Sequence, residues 1–375
     1  MRRVFWYNAI MTTEEKLNLI KQVGEEITTE EELRRLLEAE AGEKLIAYDG
    51  FEPSGQIHIA QGVLRTINVN KMIRAGVKFK MLVADWHAMA NNKMGGDLEK
   101  IQTVGRYFIE VWKACGMDLK NVEFLWASEI AKNSDYWKLV VQVGKSNALK
   151  RFIRTAEMMG REESLDKLTG AHIIYSCMQV ADIFTLGAKI TQLGMDQRKV
   201  NMLAREIGPQ LSPPAGGWKP VVISHHMLMG LGKPASASGD KTARAIELKM
   251  SKSRPETSIF MTDTKEDIAR KIDKAWCPEG EIAENPILEY CRYILFEKFS
   301  EITIDRPAKF GGDVIVKSYA ELEDKFSQKQ IHPQDLKQTV AKLINELIEP
   351  VRRHFSENKE AKMLLEKVKG FEVTR

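Results

Sequence analysis

Long uncharged runs, close cysteine pairs and a dominant charge are all missing from this sequence. The longest stretch without Asp, Glu, Lys or Arg is the 14 residues Leu168–Ala181, against the ~20 apolar residues that a bilayer-spanning helix requires. A helical integral membrane protein is therefore excluded. The four cysteines, Cys115, Cys177, Cys277 and Cys291, include no close pair, so neither a zinc site nor a disulfide framework is implied. A reduced, cytoplasmic setting is the default. Basic and acidic residues nearly cancel, 56 Lys plus Arg against 52 Asp plus Glu, for a net charge of +4. So small an excess neither announces nor excludes nucleic acid. Met1–Ile10 is basic and aromatic but lacks the apolar core and small-residue cleavage site of a signal peptide. Met11 opens a more ordinary helical sequence and reads as an alternative start.

What is present is a globular mixture: 375 residues, 43% hydrophobic and 29% charged, enough for two or three domains with a substantial core. From Thr12 to about Glu40 the pattern is helical and acidic, with capping-box spacing at Thr12–Glu15 and Thr29–Glu32. Lys44–Tyr48 reads as a buried strand entering a loop, Gly50–Gly55, and leaving as a helix with Ile59, Val63, Ile67 and Met72 on its apolar side, ended by Gly76. Further strands at Val77–Ala84, Val122–Ala127, Lys189–Leu193 and Val221–Ser224 alternate with helices, as parallel βαβ units do. The expected fold is α/β: an N-terminal helical segment over residues 1–40, a Rossmann-like parallel-sheet domain over 41–260 with a helical insertion at about 97–167, and a mainly helical C-terminal domain over 261–375. Two loops stand out, Gly208–Pro220, rich in Pro and Gly, and Gly232–Asp240, whose small residues predict mobility.

Two strings carry chemistry. Pro53–Gln61 (PSGQIHIAQ) lies on a strand-to-helix turn at the start of the sheet, where helix N-terminal amides favour phosphate and His58 can add a hydrogen bond. A histidine there also serves simply to cap or pack. Lys249-Met250-Ser251-Lys252-Ser253 follows the flexible loop. Two lysines so placed can close over a polyphosphate and neutralise the charge that develops as pyrophosphate leaves, although a solvated lysine loop is a common alternative. A third pattern, Tyr175-x-x-x-Gln179-x-x-Asp182, sets three polar groups on one face of an otherwise apolar helix. Such a stripe is costly unless satisfied, either by an internal network or by a polar ligand.

Together and in this order, the first two strings resemble the HIGH and KMSKS motifs of class I aminoacyl-tRNA synthetases, and with the tyrosine-bearing helix the resemblance narrows to tyrosyl-tRNA synthetases of the archaeal and eukaryotic kind, over almost the whole chain from Thr12. That resemblance implies activation of L-tyrosine by ATP, accompanied by Mg2+, and transfer to tRNA(Tyr) by a homodimer paired through the helical insertion. It implies catalytic roles for His58, Lys249 and Lys252, which also hold ATP together with Asp196. Tyr48, Tyr175, Gln179, Asp182 and Gln197 would bind tyrosine, with Tyr48 and Asp182 at the phenol. A site that hydrogen-bonds a phenol rejects phenylalanine without editing. One departure is the string His58-Ile59-Ala60-Gln61, with a methyl in place of the family's glycine and an amide in place of its second histidine.

His87, at a strand end, either lines the amino-acid site or packs. Of the tandem His225-His226, one is expected to face the nucleotide and the other the core. In the C-terminal part, the resemblance implies that Phe310 and His332 stack an anticodon base and that Asp335 reads its edge, with Arg198 as a further tRNA contact. Residues 1–260 carry +6 and residues 261–375 carry −2, so the basic excess lies with the motif-bearing part. The sequence leaves two rivals, the tryptophanyl enzyme of the same architecture and a non-catalytic tRNA-binding paralogue.

Overall fold

A computed structural model describes residues 11–39, 45–156, 168–213, 216–234 and 241–371. Residues 1–10, which precede the alternative start, and 235–240 of the loop expected to be mobile lie outside the described residues.

Six strands build the main sheet: β1 (Gly24–Thr28), β2 (Ile46–Phe51), β3 (Lys78–Val83), β4 (Val122–Trp126), β5 (Ile190–Gly194) and β6 (Val221–His225). Their order is β1-β6-β5-β2-β3-β4. The five strands β2 to β6 run parallel, and β1 pairs antiparallel with β6. The chain winds outward from β2 to β3 and β4 in one direction and from β5 to β6 in the other. The C-terminal ends of β2 and β5 therefore flank a crevice, the usual ligand position in such sheets.

Two expectations need correction. The stretch Thr12–Glu40 is not continuously helical: β1 separates the helices Thr13–Lys21 and Glu30–Ala39. Both capping boxes form, with Glu15 N–H donating to Thr12 Oγ1 and Glu32 N–H to Thr29 Oγ1, each at 3.2 Å. Between them GEEIT lies along the edge of the sheet with every residue half-buried. An edge strand tolerates polar side chains, so it carries no apolar alternation to betray it, and pairing with β6 outweighs local helical preference. The second correction is to β2, which continues past Tyr48 through Asp49 and into Gly50-Phe51, where a loop was expected. Ladder pairing with β3 runs in register from Ile46 opposite Lys78 to Phe51 opposite Val83 and carries the poor strand formers Asp49 and Gly50 along.

The helix Leu98–Ala114 packs on the sheet at its glycine. A Cβ on Gly105 would stand 2.8 Å from both Trp126 and Val83. Gly105→Ala is therefore expected to lower stability by about 1–3 kcal/mol, the usual result of overpacking a tight core, and denaturant melts that superpose on wild type would contradict this.

The C-terminal part is mainly helical, with a two-stranded ribbon of β7 (Ile302–Ile304) and β8 (Val314–Val316). Its long helix Pro333–Glu357 packs on the helix Lys265–Asp273, and one buried apolar cluster runs from Leu17 to Val368. A second cluster surrounds the helix Gly170–Thr185 and includes Tyr48. Among the described residues, no helix is long and apolar enough to cross a membrane.

Candidate active site

The crevice between β2 and β5 opens into a cavity of about 290 Å³. Tyr48, His58, Tyr175, Gln179, Asp182, Asp196, Gln197 and Lys249 all line it. Lys252 does not, but its Nζ donates to Ser54 O (3.0 Å) and to Ser54 Oγ (3.2 Å), and Ser54 is part of the wall. Residues that sequence spacing could only suggest as neighbours are brought together here.

One end is phenolic and acidic. Asp182, 1% exposed, accepts a hydrogen bond from the Tyr136 hydroxyl at 2.9 Å through Oδ1. Its Oδ2 lies 3.0 Å from His87 Nε2, an ion-pair contact without hydrogen-bond alignment. Burial pulls the His87 imidazole down, but Asp182, aided by Glu52 and Asp85, more than compensates and raises its pKa. Tyr48 is wholly buried; burial, then Asp182 and Asp49, push its phenol well above the ordinary range. A Cβ on Gly50 would stand 2.7 Å from the Tyr48 hydroxyl, so only glycine leaves that hydroxyl its place. Two turns back from Asp182, the Tyr175 phenol is raised by burial and by the neighbouring Glu52. Between them, Gln179 Nε2 donates to Gln197 Oε1 at 3.1 Å, while Gln179 Oε1 is buried with no partner. An orphaned acceptor in a cavity wall is costly unless a ligand donates to it.

The other end is cationic. Burial, then Lys252, Arg65 and Lys249, hold the His58 imidazole well below its usual pKa, so it is neutral, and its Nδ1 has no partner. Lys249 Nζ pairs with Asp196 Oδ2 at 2.7 Å. Burial alone would raise Asp196, but Lys249 dominates and lowers it. Lys252 stands 4.5 Å from the Phe108 ring centroid and is driven well below the lysine range by burial, reinforced by Lys93 and Arg65. His58 stands just before the next helix, in an isolated β-bridge with Phe260, and that helix begins with a π-helical turn, Ala60–Leu64. The Gln61 side chain leaves its Oε1 buried and unpartnered.

Sequence reasoning missed several members of this site. Asp49 and Arg65 form an ion pair at 2.8 Å without hydrogen-bond alignment. Burial raises Asp49 to about 7 against the pull of Arg65. Asp49 fell between the expected strand and the expected loop, and Arg65 lies two turns beyond His58 with no motif of its own. Glu52 accepts from Asn91 Nδ2 at both carboxylate oxygens, each at 3.1 Å. Tyr136, on the helix Ser134–Ser146, carries no sequence signal at all. Of the tandem histidines, both line the cavity. His225 is half-buried, lies 2.6 Å from Gln192 Nε2 and is pushed by burial and Arg65 down to about 3.

The remaining candidates lie away from the cavity. Arg198 pairs with Glu26 at 2.8 Å. Phe310 is 60% exposed on the turn between β7 and β8. Arg306 ties that ribbon to the Gln330 carbonyl at 2.9 Å, two residues before His332, which caps the long helix by accepting from Gln334 N–H at 3.2 Å. Asp335 stands in that helix's first turn.

A family model described as "tRNA synthetases class I (W and Y)" matches residues 40–349. Tyrosine–tRNA ligase 1, cytoplasmic, of Arabidopsis thaliana is 46% identical over 364 residues, 96% of this chain and 90% of that protein. The tyrosine–tRNA ligase of Thermococcus kodakarensis is 42% identical over 375 residues, covering 96% and 99%. The crystal structure of tyrosyl-tRNA synthetase from Pyrococcus horikoshii, complexed with L-tyrosine, superposes with a TM-score of 0.87 at 39% identity, covering 95% of this chain and all of that one. A cavity with a buried carboxylate at one end and Lys249 at the other, on this sheet and in this company, places the chain in the class I tRNA synthetases of the tryptophan and tyrosine group, and within them among the tyrosyl-tRNA synthetases.

Proposed function

We propose that this chain is a tyrosine–tRNA ligase: it joins L-tyrosine to ATP, releasing pyrophosphate, and passes the tyrosyl group from the adenylate to tRNA(Tyr), releasing AMP. The observation that carries the reading is the Asp182 carboxylate, buried with Tyr136 and His87 around it, in the same cavity as His58 and Lys249. A phenol donating to Asp182 Oδ2 satisfies a buried acceptor that an apolar ligand would leave without a donor. Gln179 Oε1 suits the α-ammonium, with Gln197 behind it. The tyrosine carboxylate then attacks the α-phosphorus of ATP in line, the bond to the bridging oxygen breaks, and pyrophosphate departs with its Mg2+. No covalent enzyme intermediate forms, so the protein supplies position and charge. Lys249 and Lys252 neutralise the leaving phosphates. Neutral His58 offers a hydrogen bond without adding charge, and Asp196 holds Lys249 in place and contacts the ribose. Gln61 adds an amide where a second imidazole stands in the family string.

Phe310, His332 and Asp335 read the anticodon, the two rings stacking a base and the carboxylate taking its donor edge; Arg198 contacts the same RNA. Two copies pair through the helical layer in which Val141 and Leu149, each 60% exposed, and Ile174, 48% exposed, offer apolar side chains to solvent. Residues 261–375 act as the anticodon-binding domain, and the protein works in the cytoplasm.

Amino-acid-dependent exchange of pyrophosphate into ATP, run with tyrosine and tryptophan in parallel and followed by charging of tRNA(Tyr), tests the proposal. Exchange and charging with tyrosine alone are expected. Exchange with tryptophan, or none with either, would defeat it.

A further inference from the structure

Glu289 sits on the short helix Pro286–Tyr290, in the helical C-terminal part, and none of the roles above uses it. Its Oε2 accepts from the Met229 backbone N–H at 3.0 Å and lies 3.0 Å from His226 Nε2. The other imidazole nitrogen, Nδ1, is 3.1 Å from Glu25 Oε2 on β1. The ring also stacks on Tyr293, with centroids 4.0 Å apart and planes at 10°. His226 is thus held at both nitrogens and across one face.

The segment that His226 opens has two sides. On one, His226, Met227 and Leu228 form cavity wall. On the other, the same segment backs the second motif: Met250 N–H donates to Leu228 O at 2.8 Å, Gly230 N–H donates to Leu248 O at 3.0 Å, and Met229 and Lys249 form a β-bridge. A carboxylate from the C-terminal part therefore grips the strap to which the Lys249 strand is bonded.

We propose that Glu289 is a positioning residue for the nucleotide half of the site, fixing through His226 and the Met229 amide where the strap His226–Leu231, and with it Lys249, stands against ATP. The inference rests on reading the cavity as the tyrosine and ATP site. Burial disfavours charge on His226, but Glu25 and Glu289 outweigh it and push its pKa up to about 9. The other ionisable groups beside it are Tyr293, whose ring lies 5.1 Å from the Arg292 guanidinium, and the adjacent His225, which is neutral near pH 7. The clamp is consequently closed across the neutral range in the intact protein. With only one carboxylate left, the imidazolium loses its proton at lower pH, and the strap is released as pH rises.

Tyrosine-dependent pyrophosphate exchange by wild type and Glu289→Gln, measured from pH 6 to pH 9, is the test. The variant is expected to show a KM for ATP about tenfold higher at pH 8, as loss of one charge-assisted hydrogen bond implies, shrinking towards pH 6, with the KM for tyrosine unchanged. Glu25→Gln, which keeps the Met229 contact, should show the same pH trend with a smaller rise, and serves where the first variant does not fold. Equal rises in both KM values, or a ratio of variant to wild-type KM for ATP that does not change with pH in either variant, would overturn the proposal. Absence of exchange by wild type itself would instead remove the reading of the cavity on which it stands.

Discussion

Lys252→Met is expected to slow tyrosine-dependent pyrophosphate exchange by about 100- to 1,000-fold, the range seen when one preorganised donor to developing charge is removed. The KM for tyrosine should stay close to that of wild type. The ammonium lies across the loop after β2, bonded to Ser54 O and Oγ at 3.0 and 3.2 Å, far from the Asp182 end. In the free protein it is destabilised, because burial, Lys93 and Arg65 all favour the neutral amine and only Glu52 opposes them. A polyphosphate reverses that balance by supplying the missing counter-charge. A sign follows for the pH profile. The working form is protonated, and its pKa in the free protein is lowered, so kcat/KM for ATP in wild type should decline on the alkaline side earlier than an ordinary lysine would allow. The methionine variant should lack that decline. A profile that falls identically in both proteins, or a loss of less than tenfold, would show that Lys252 is only a structural strut between two loops.

Asp182→Asn is expected to lower kcat/KM for tyrosine by about 100-fold, because the phenol loses a charged acceptor. The effect should appear mainly in the KM for tyrosine, with the KM for ATP little changed. Discrimination against phenylalanine should narrow by at least about tenfold, since the penalty for leaving the charged Oδ2 without a donor disappears. The Tyr136 hydroxyl, 2.9 Å from Oδ1, keeps an acceptor in the amide, so the pocket should remain shaped. His87, raised by Asp182 against its own burial, should titrate lower in the variant. Measuring the two amino acids side by side in exchange assays decides the matter. Unaltered tyrosine kinetics would mean that the Asp182–Tyr136–His87 group is an internal network and that the phenol lies elsewhere.

Much of the site was legible because its chemistry is written in contiguous strings. A strand-to-helix turn with His58, a lysine pair at Lys249 and Lys252, and three polar groups spaced along one helix face are local statements, and local geometry follows from them. The two capping boxes formed for the same reason. The charged partners that tune these groups were not legible. Asp49 fell between an expected strand and an expected loop, yet it is fully buried and raised to about 7. Gln179 Oε1 was expected in a polar stripe, but nothing in the stripe says that it is left without a partner. For His225 and His226 the sequence offered a division of labour between nucleotide and core; instead both line the cavity, one neutral and one clamped between acids.

By itself, then, the sequence determined the class of fold, the order of the parallel strands along the chain and the two ends of the reaction chemistry, because hydrophobic period and motif spacing act over a few residues at a time. Only the tertiary structure decided that GEEIT is an edge strand, that Tyr136 meets Asp182 from 46 residues away, and that Glu25 and Glu289 close on His226 from 201 and 63 residues away. Those contacts are choices among many polar residues of equal local preference. Burial makes the choice, since a charge removed from water must find its counterpart wherever the packed chain has brought one.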